Sequence, residues 1–155
     1  MKKSCSGFSL VELLITLSII ALLFSLGLTQ YNRFNRRQVL IRAKDNLVSE
    51  LRLTQAKSLA AEKPDDCGVN PLVGHKLEFT SNQSYQIVAV CGGVLSVVKD
   101  GMSLPIGVIK DSGPDEILFK VLSQGIDIDG EQQIIITDDF GQSQTVTINN
   151  VGEIK

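Results

Sequence analysis

A lone carboxylate, Glu12, stands near the start of an otherwise uncharged run, residues 8–28, that begins FSLVELLITLS. In so apolar a segment a carboxylate has one productive chemistry. It draws in a cation, because a charge taken out of water is costly until it is paired. Other groups also invite a chemical reading. Cys67 and Cys91 are placed either to form a disulfide or to remain two buried thiols. Asp127, Asp129 and Glu131 flank Gly130 in a superficial match to a calcium loop. The glycine arrives two residues early for the D-x-D-x-D-G-x5-E spacing and no Glu closes the loop, so acids around a turn are expected and no metal. His75 is the only histidine, and with no second imidazole it reads as structural. Asp138 and Asp139 beside Phe140 and Gly141 read as a turn, and Asn82-Gln83-Ser84 is a bare N-x-S triplet. No serine or threonine can be assigned a base, so the chain is read as a non-enzyme that needs no cofactor.

The elements that position these residues divide the chain by charge. Residues 1–63 carry ten Lys/Arg and four Asp/Glu, a balance of +6, whereas residues 64–155 carry five Lys and thirteen acids, a balance of −8. An acidic C-terminal domain repels phosphate backbones, which disfavours nucleic-acid binding there. Residues 8–28 form a run of 21 whose polar members are Glu12 and scattered Ser9, Thr16, Ser18 and Ser25. At about 1.5 Å per residue that helix spans about 30 Å, the thickness of a bilayer's hydrocarbon core. A cleaved secretory signal fits less well, because such apolar regions are shorter and seldom begin with a Glu. Lys2 and Lys3 precede the run, and Arg33, Arg36, Arg37 and Arg42 follow it. Counting them would put the end that carries Cys67 and Cys91 in the cytoplasm, against an oxidising setting for that pair, so charge alone does not settle orientation.

Beyond the run, no proline occurs before Pro64, and residues 29–63 are rich in good helix formers. Leu40, Ala43, Leu47 and Leu51 recur at steps of three and four, with Val48 and Ala56 widening the stripe. One helix over residues 8–62, softened at Gly27, is expected, its second half laying that stripe on a folded domain. After Pro64 the period changes to two. Strands are expected at 75–80, 84–90, 94–99, 116–121, 133–137 and 144–149, separated by turn signals such as CGG, SGPD and DDFGQ. The fold class is therefore α+β: a long N-terminal α-helix packed on a C-terminal antiparallel β-sheet or β-sandwich.

The residues Lys2-Lys3, then Gly7-Phe8-Ser9-Leu10-Val11-Glu12 leading into the apolar run, resemble a type IV prepilin N-terminus. The resemblance implies that a prepilin peptidase cuts between Gly7 and Phe8 and methylates the new amine of Phe8. Glu12 then becomes the fifth residue of the mature chain and the assembly contact. It further implies a leader at 1–7, a transmembrane and assembly helix at 8–28, an amphipathic extension at 29–63 and a β-rich pilin domain at 64–155. The leader would lie in the cytoplasm and the β-domain outside the cytoplasmic membrane, where Cys67 and Cys91 can be oxidised. Implied partners are prepilin peptidase, other pilin or pseudopilin subunits and an inner-membrane assembly platform. The closing pattern, EILFKVLSQGIDI followed by QIIITDDFGQSQTVTINNVGEIK, is similar to the GspH/FimT group of minor pilins and pseudopilins. Some members of that group bind DNA through basic residues near this end. Here the ending is Gly152-Glu153-Ile154, with Glu where the group often has Arg.

Overall fold

The computed structural model describes residues 9–123, 125–126 and 130–155, without the side chains of residues 25–29 and 123. The chain packs as two compact units, Met1–Arg37 and Gln38–Lys155. Helix α1 (Leu10–Leu59) is a single element of 50 residues and continues through Gly27. It stops short of Pro64. The N–H of Ala61 reaches the carbonyl of Ser58 at 3.1 Å and that of Glu62 reaches Lys57 at 3.1 Å. These two bonds make a Schellman stop, which requires a left-handed residue after the helix, and Ala61 supplies it with φ 49°.

Seven strands follow: β1 (Leu72–Phe79), β2 (Ser84–Cys91), β3 (Val94–Ser103), β4 (Val108–Ser112), β5 (Glu116–Lys120), β6 (Gln132–Asp138) and β7 (Ser143–Ile148). They form two antiparallel sheets, ordered β3-β2-β1-β5 and β4-β6-β7. The expected strands are all present, and β4 is additional. Its sequence, VIKDS, puts Lys110 where the alternation calls for an apolar residue. Lys110 is nonetheless buried, because its ammonium pairs with Asp115 and lies 4.8 Å from the centre of the Phe79 ring. Strand β3 also runs beyond its expected end, through Asp100 and Gly101 to Ser103.

The alternation of the strands places Leu77, Tyr85, Ile117 and Phe119 of one sheet and Ile134, Ile136, Val146 and Ile148 of the other in one apolar core. The part of α1 in this unit contributes Leu40, Ala43, Leu47 and Leu51, each essentially without exposure. The seam continues through Thr54 and Ser58, which are buried, while Ala56, expected on the stripe, is exposed. Thr54 closes its hydroxyl on the Glu50 carbonyl at 2.8 Å, so burying it leaves no unmet donor. At Gly74 a side chain has no room: a Cβ there would lie 2.1 Å from the carbonyl oxygen of Phe119. Gly74 thus lets β1 and β5 close up beside a bulge between Leu72 and Gly74.

Candidate assembly segment

Within the first unit, Glu12 lies in the first turn of α1, where the N–H of Leu13 bonds to the carbonyl of Ser9 at 3.2 Å. A carboxylate at that end of a helix is favoured by the unpaired N–H groups. Glu12 is exposed, and it is the only ionisable side chain from Leu10 to Phe24. The large apolar side chains over that stretch are also open, from 52% exposed at Ile19 to 75% at Leu10. A helix apolar on every face is one that is covered by lipid or by other helices. The hydroxyls of Thr16 and Ser18 donate to the carbonyls of Leu13 and Leu14 at 3.0 and 2.8 Å, so neither needs water. Glu12 takes part in no ion pair among the described residues. Gly7 and Phe8, the expected processing site, lie outside the described residues, as do Asp127 and Asp129 of the rejected calcium loop. Among the described residues no helix is long and apolar enough to cross a membrane.

In the second unit Cys67 and Cys91 are joined as a disulfide, with Cα atoms 5.7 Å apart. Both are fully buried with Ala89, against Leu72 and Val98. The bond ties the short turn Asp65–Cys67, just after α1, to the end of β2. His75 is structural, as its isolation suggested. It is 1% exposed, its N–H donates to the Ser58 hydroxyl at 2.8 Å, and its Nδ1 lies 3.3 Å from the same oxygen. Burial, with the nearby charge of Lys57, holds the imidazole below its ordinary pKa. Ser58 is not legible in the sequence, since the helix stripe is marked by its apolar positions and the contact spans 17 positions.

No group of three or more metal-ligating side chains occurs among the described residues. A cavity of about 150 Å³ opens between Gln55 and Leu59 of α1, Phe119 and the turn at Val151 and Gly152. Its described lining includes no carboxylate, imidazole, thiol or hydroxyl. A second groove, of about 420 Å³, brings together Lys44, Arg52 and Lys155. Asp45 also lines it, and Glu153 pairs with Lys155 at 3.0 Å, so its positive charge is largely offset.

In comparisons with curated proteins and with solved structures, nothing matches this chain. The family model that matches is the prokaryotic N-terminal methylation motif, over residues 2–28. Those residues include Gly7, Phe8, Glu12 and the exposed apolar part of α1. The chain therefore carries a type IV prepilin-like signal leading into a long helix, and is pilin-like or pseudopilin-like in that sense.

Proposed function

We propose that the protein is a minor structural subunit, a minor pilin or pseudopilin of the GspH/FimT kind, of a type IV pilus or a type II secretion system. The observation that carries the reading is the methylation motif at residues 2–28, with Glu12 in the first turn of an apolar helix. Prepilin peptidase cuts between Gly7 and Phe8, and the new N-terminal amine remains a cation after methylation. Residues 8–28 then hold the chain in the cytoplasmic membrane, with the β-domain outside. There an oxidising compartment suits the bond between Cys67 and Cys91.

Assembly follows from the energetics of Glu12. A carboxylate in the hydrocarbon costs about 2.5–3.5 kcal/mol at mid-bilayer and less near the interface. When helices bundle on the assembly platform, the Phe8 amine of a neighbouring subunit pairs with Glu12 and offsets that cost. An isolated subunit carries the penalty and a docked one does not. The protein's role is thus positional rather than catalytic. Binding of DNA is the weaker reading, given the −8 balance over residues 64–155 and the offset charges of the basic groove. The test is Glu12→Ala in the full chain, with processing checked independently. Loss of co-purification with the other filament subunits is expected. Recovery of those subunits at the wild-type level refutes the pairing.

A further inference from the structure

Directly beyond the apolar run, the first unit ends in a segment of another composition. Residues 30–37 read QYNRFNRR, three arginines interleaved with two aromatic rings. No Asp or Glu occurs from residue 13 to residue 44, so this positive charge has no counter-charge along the helix. The side chains of Arg33 and Arg37 are exposed and take part in no ion pair among the described residues. The rings of Tyr31 and Phe34 are open as well, at 67% and 61% exposed.

The helix sets these groups side by side. Helix α1 runs unbroken through them, and positions three and four apart are neighbours on its surface. Tyr31, Phe34 and Arg37 follow one another at steps of three, and Arg33 lies one turn before Arg37. Two rings and two guanidinium groups therefore share one side of the helix. A solvated face accounts for the arginines but not for the rings, whose apolar surface is better placed out of water. Rings and charges together suit a boundary between apolar and wet surroundings.

Their height along the helix matches such a boundary. With residues 8–28 in the hydrocarbon, a rise of about 1.5 Å per residue puts Tyr31 about 4.5 Å and Arg33 about 7.5 Å beyond it. Phe34 follows at about 9 Å and Arg37 at about 13.5 Å. The headgroup layer is about 5–8 Å thick on each side of a bilayer. Side chains on a helix lean toward its N-terminus, which here is the membrane side, so Phe34 and the long Arg37 reach back to that layer. There a guanidinium can meet a phosphate through two parallel hydrogen bonds.

We infer that residues 31–37 form a lipid-binding collar that gathers anionic phospholipid headgroups where α1 leaves the bilayer. Tyr31 and Phe34 lie at the edge of the hydrocarbon, and Arg33 and Arg37 hold the phosphates. The inference rests on the reading of residues 8–28 as the membrane segment. Other occupants meet fewer of the groups. A parallel second copy at the same height brings its own arginines alongside, and like charges repel. An acidic protein surface satisfies the arginines but gives the rings no apolar boundary. The collar also has a consequence for assembly. About 29 Å of helix separates Tyr31 from Glu12, so pinning Tyr31 at one interface keeps Glu12 close to the other.

The chain has no tryptophan, so one introduced indole reports alone. Leu17→Trp and Tyr31→Trp, both at exposed positions of α1, are made in the full chain and reconstituted into phosphatidylcholine vesicles. Lipid brominated deep in its acyl chains should quench Leu17→Trp, which tests the membrane span by itself. Absence of that quenching removes the span and the inference with it. With the span in place, a small fraction of phosphatidylglycerol brominated near the headgroup should gather around Tyr31→Trp. Its enrichment over equally brominated phosphatidylcholine should be about fivefold for each arginine engaged at low salt, and should weaken at high salt. Arg33→Gln with Arg37→Gln should make the two lipids quench equally, whereas the paired Lys variants should keep most of the preference. Equal quenching by the two lipids without those changes overturns the inference while the span stands, as does a preference that survives the paired Gln variant. A Tyr31→Trp emission that ignores the lipid and shifts only when another filament subunit is added also overturns it, in favour of an acidic protein surface.

Discussion

His75 makes the docking of α1 on the β-domain sensitive to mild acid, and the size of the effect can be worked out. The imidazole is buried between β1 and α1. The Ser58 hydroxyl accepts its backbone N–H and lies 3.3 Å from Nδ1. A Ser58 proton directed at Nδ1 matches an uncharged ring, whereas the imidazolium carries protons on both nitrogens and can only donate to that oxygen. The charges that face the ring are Lys57, which opposes protonation, and Glu62, which favours it, and burial opposes it most. With a folded-state pKa below the ordinary 6.5, the unfolded chain binds the proton first on acidification. Stability is therefore full above about pH 6.5 and falls as pH drops below it, by at most about 1.4 kcal/mol per pH unit, until the folded-state pKa is reached. Glu62 and Glu78, whose pKa values are lowered, act in the same direction, but only below about pH 5. Urea unfolding of the full chain in micelles, followed by near-UV dichroism, isolates the window from pH 7.5 to 5.5. The chain has no tryptophan, Tyr31 is exposed and Tyr85 is buried, so the signal reports the β-domain. The wild type should lose stability across that window while His75→Gln stays flat. Parallel pH profiles for the two proteins would refute the reasoning.

Two further perturbations follow from the same contacts. Cys91→Ser, or reduction of the native protein, opens a loop of 24 positions and should cost about 3 kcal/mol of unfolding free energy, measured by the same urea titration. Ala61→Gly should raise stability by about 0.5–1 kcal/mol, because glycine takes the left-handed helix stop without strain, and a neutral or destabilising result counts against the Schellman geometry.

The legible parts of the fold were those set by periodicity. Leu40, Ala43, Leu47 and Leu51 announce the helix seam, and alternation locates six of the seven strands, β1 and β3 among them although His75 and Ser96 are buried there. The missed strand, β4, is the one where an inward position is Lys110, and burying it requires Asp115 and the Phe79 ring, which no local pattern reveals. Pro64 points to a helix end at residue 62. The actual stop is made by backbone bonds to Ser58 and Lys57, with a residue not usually chosen for a left-handed turn. The two cysteines stand out as a pair, and the polar loop around Cys67 favours a disulfide over free thiols, but the bond itself needs β2 and the turn after α1 brought together. At the N-terminus the reverse holds. GFSLVE is a local signal, legible without tertiary structure and matched by the methylation motif over residues 2–28.

The central claim is that this N-terminus is a processing site followed by an assembly contact. Mass spectrometry of the N-terminal peptide of the mature protein, isolated from cells that contain a prepilin peptidase, tests it most directly. The account predicts a chain beginning at Phe8 with a methylated amine. A chain that retains Met1 to Gly7, or one cut after the apolar run, would contradict it.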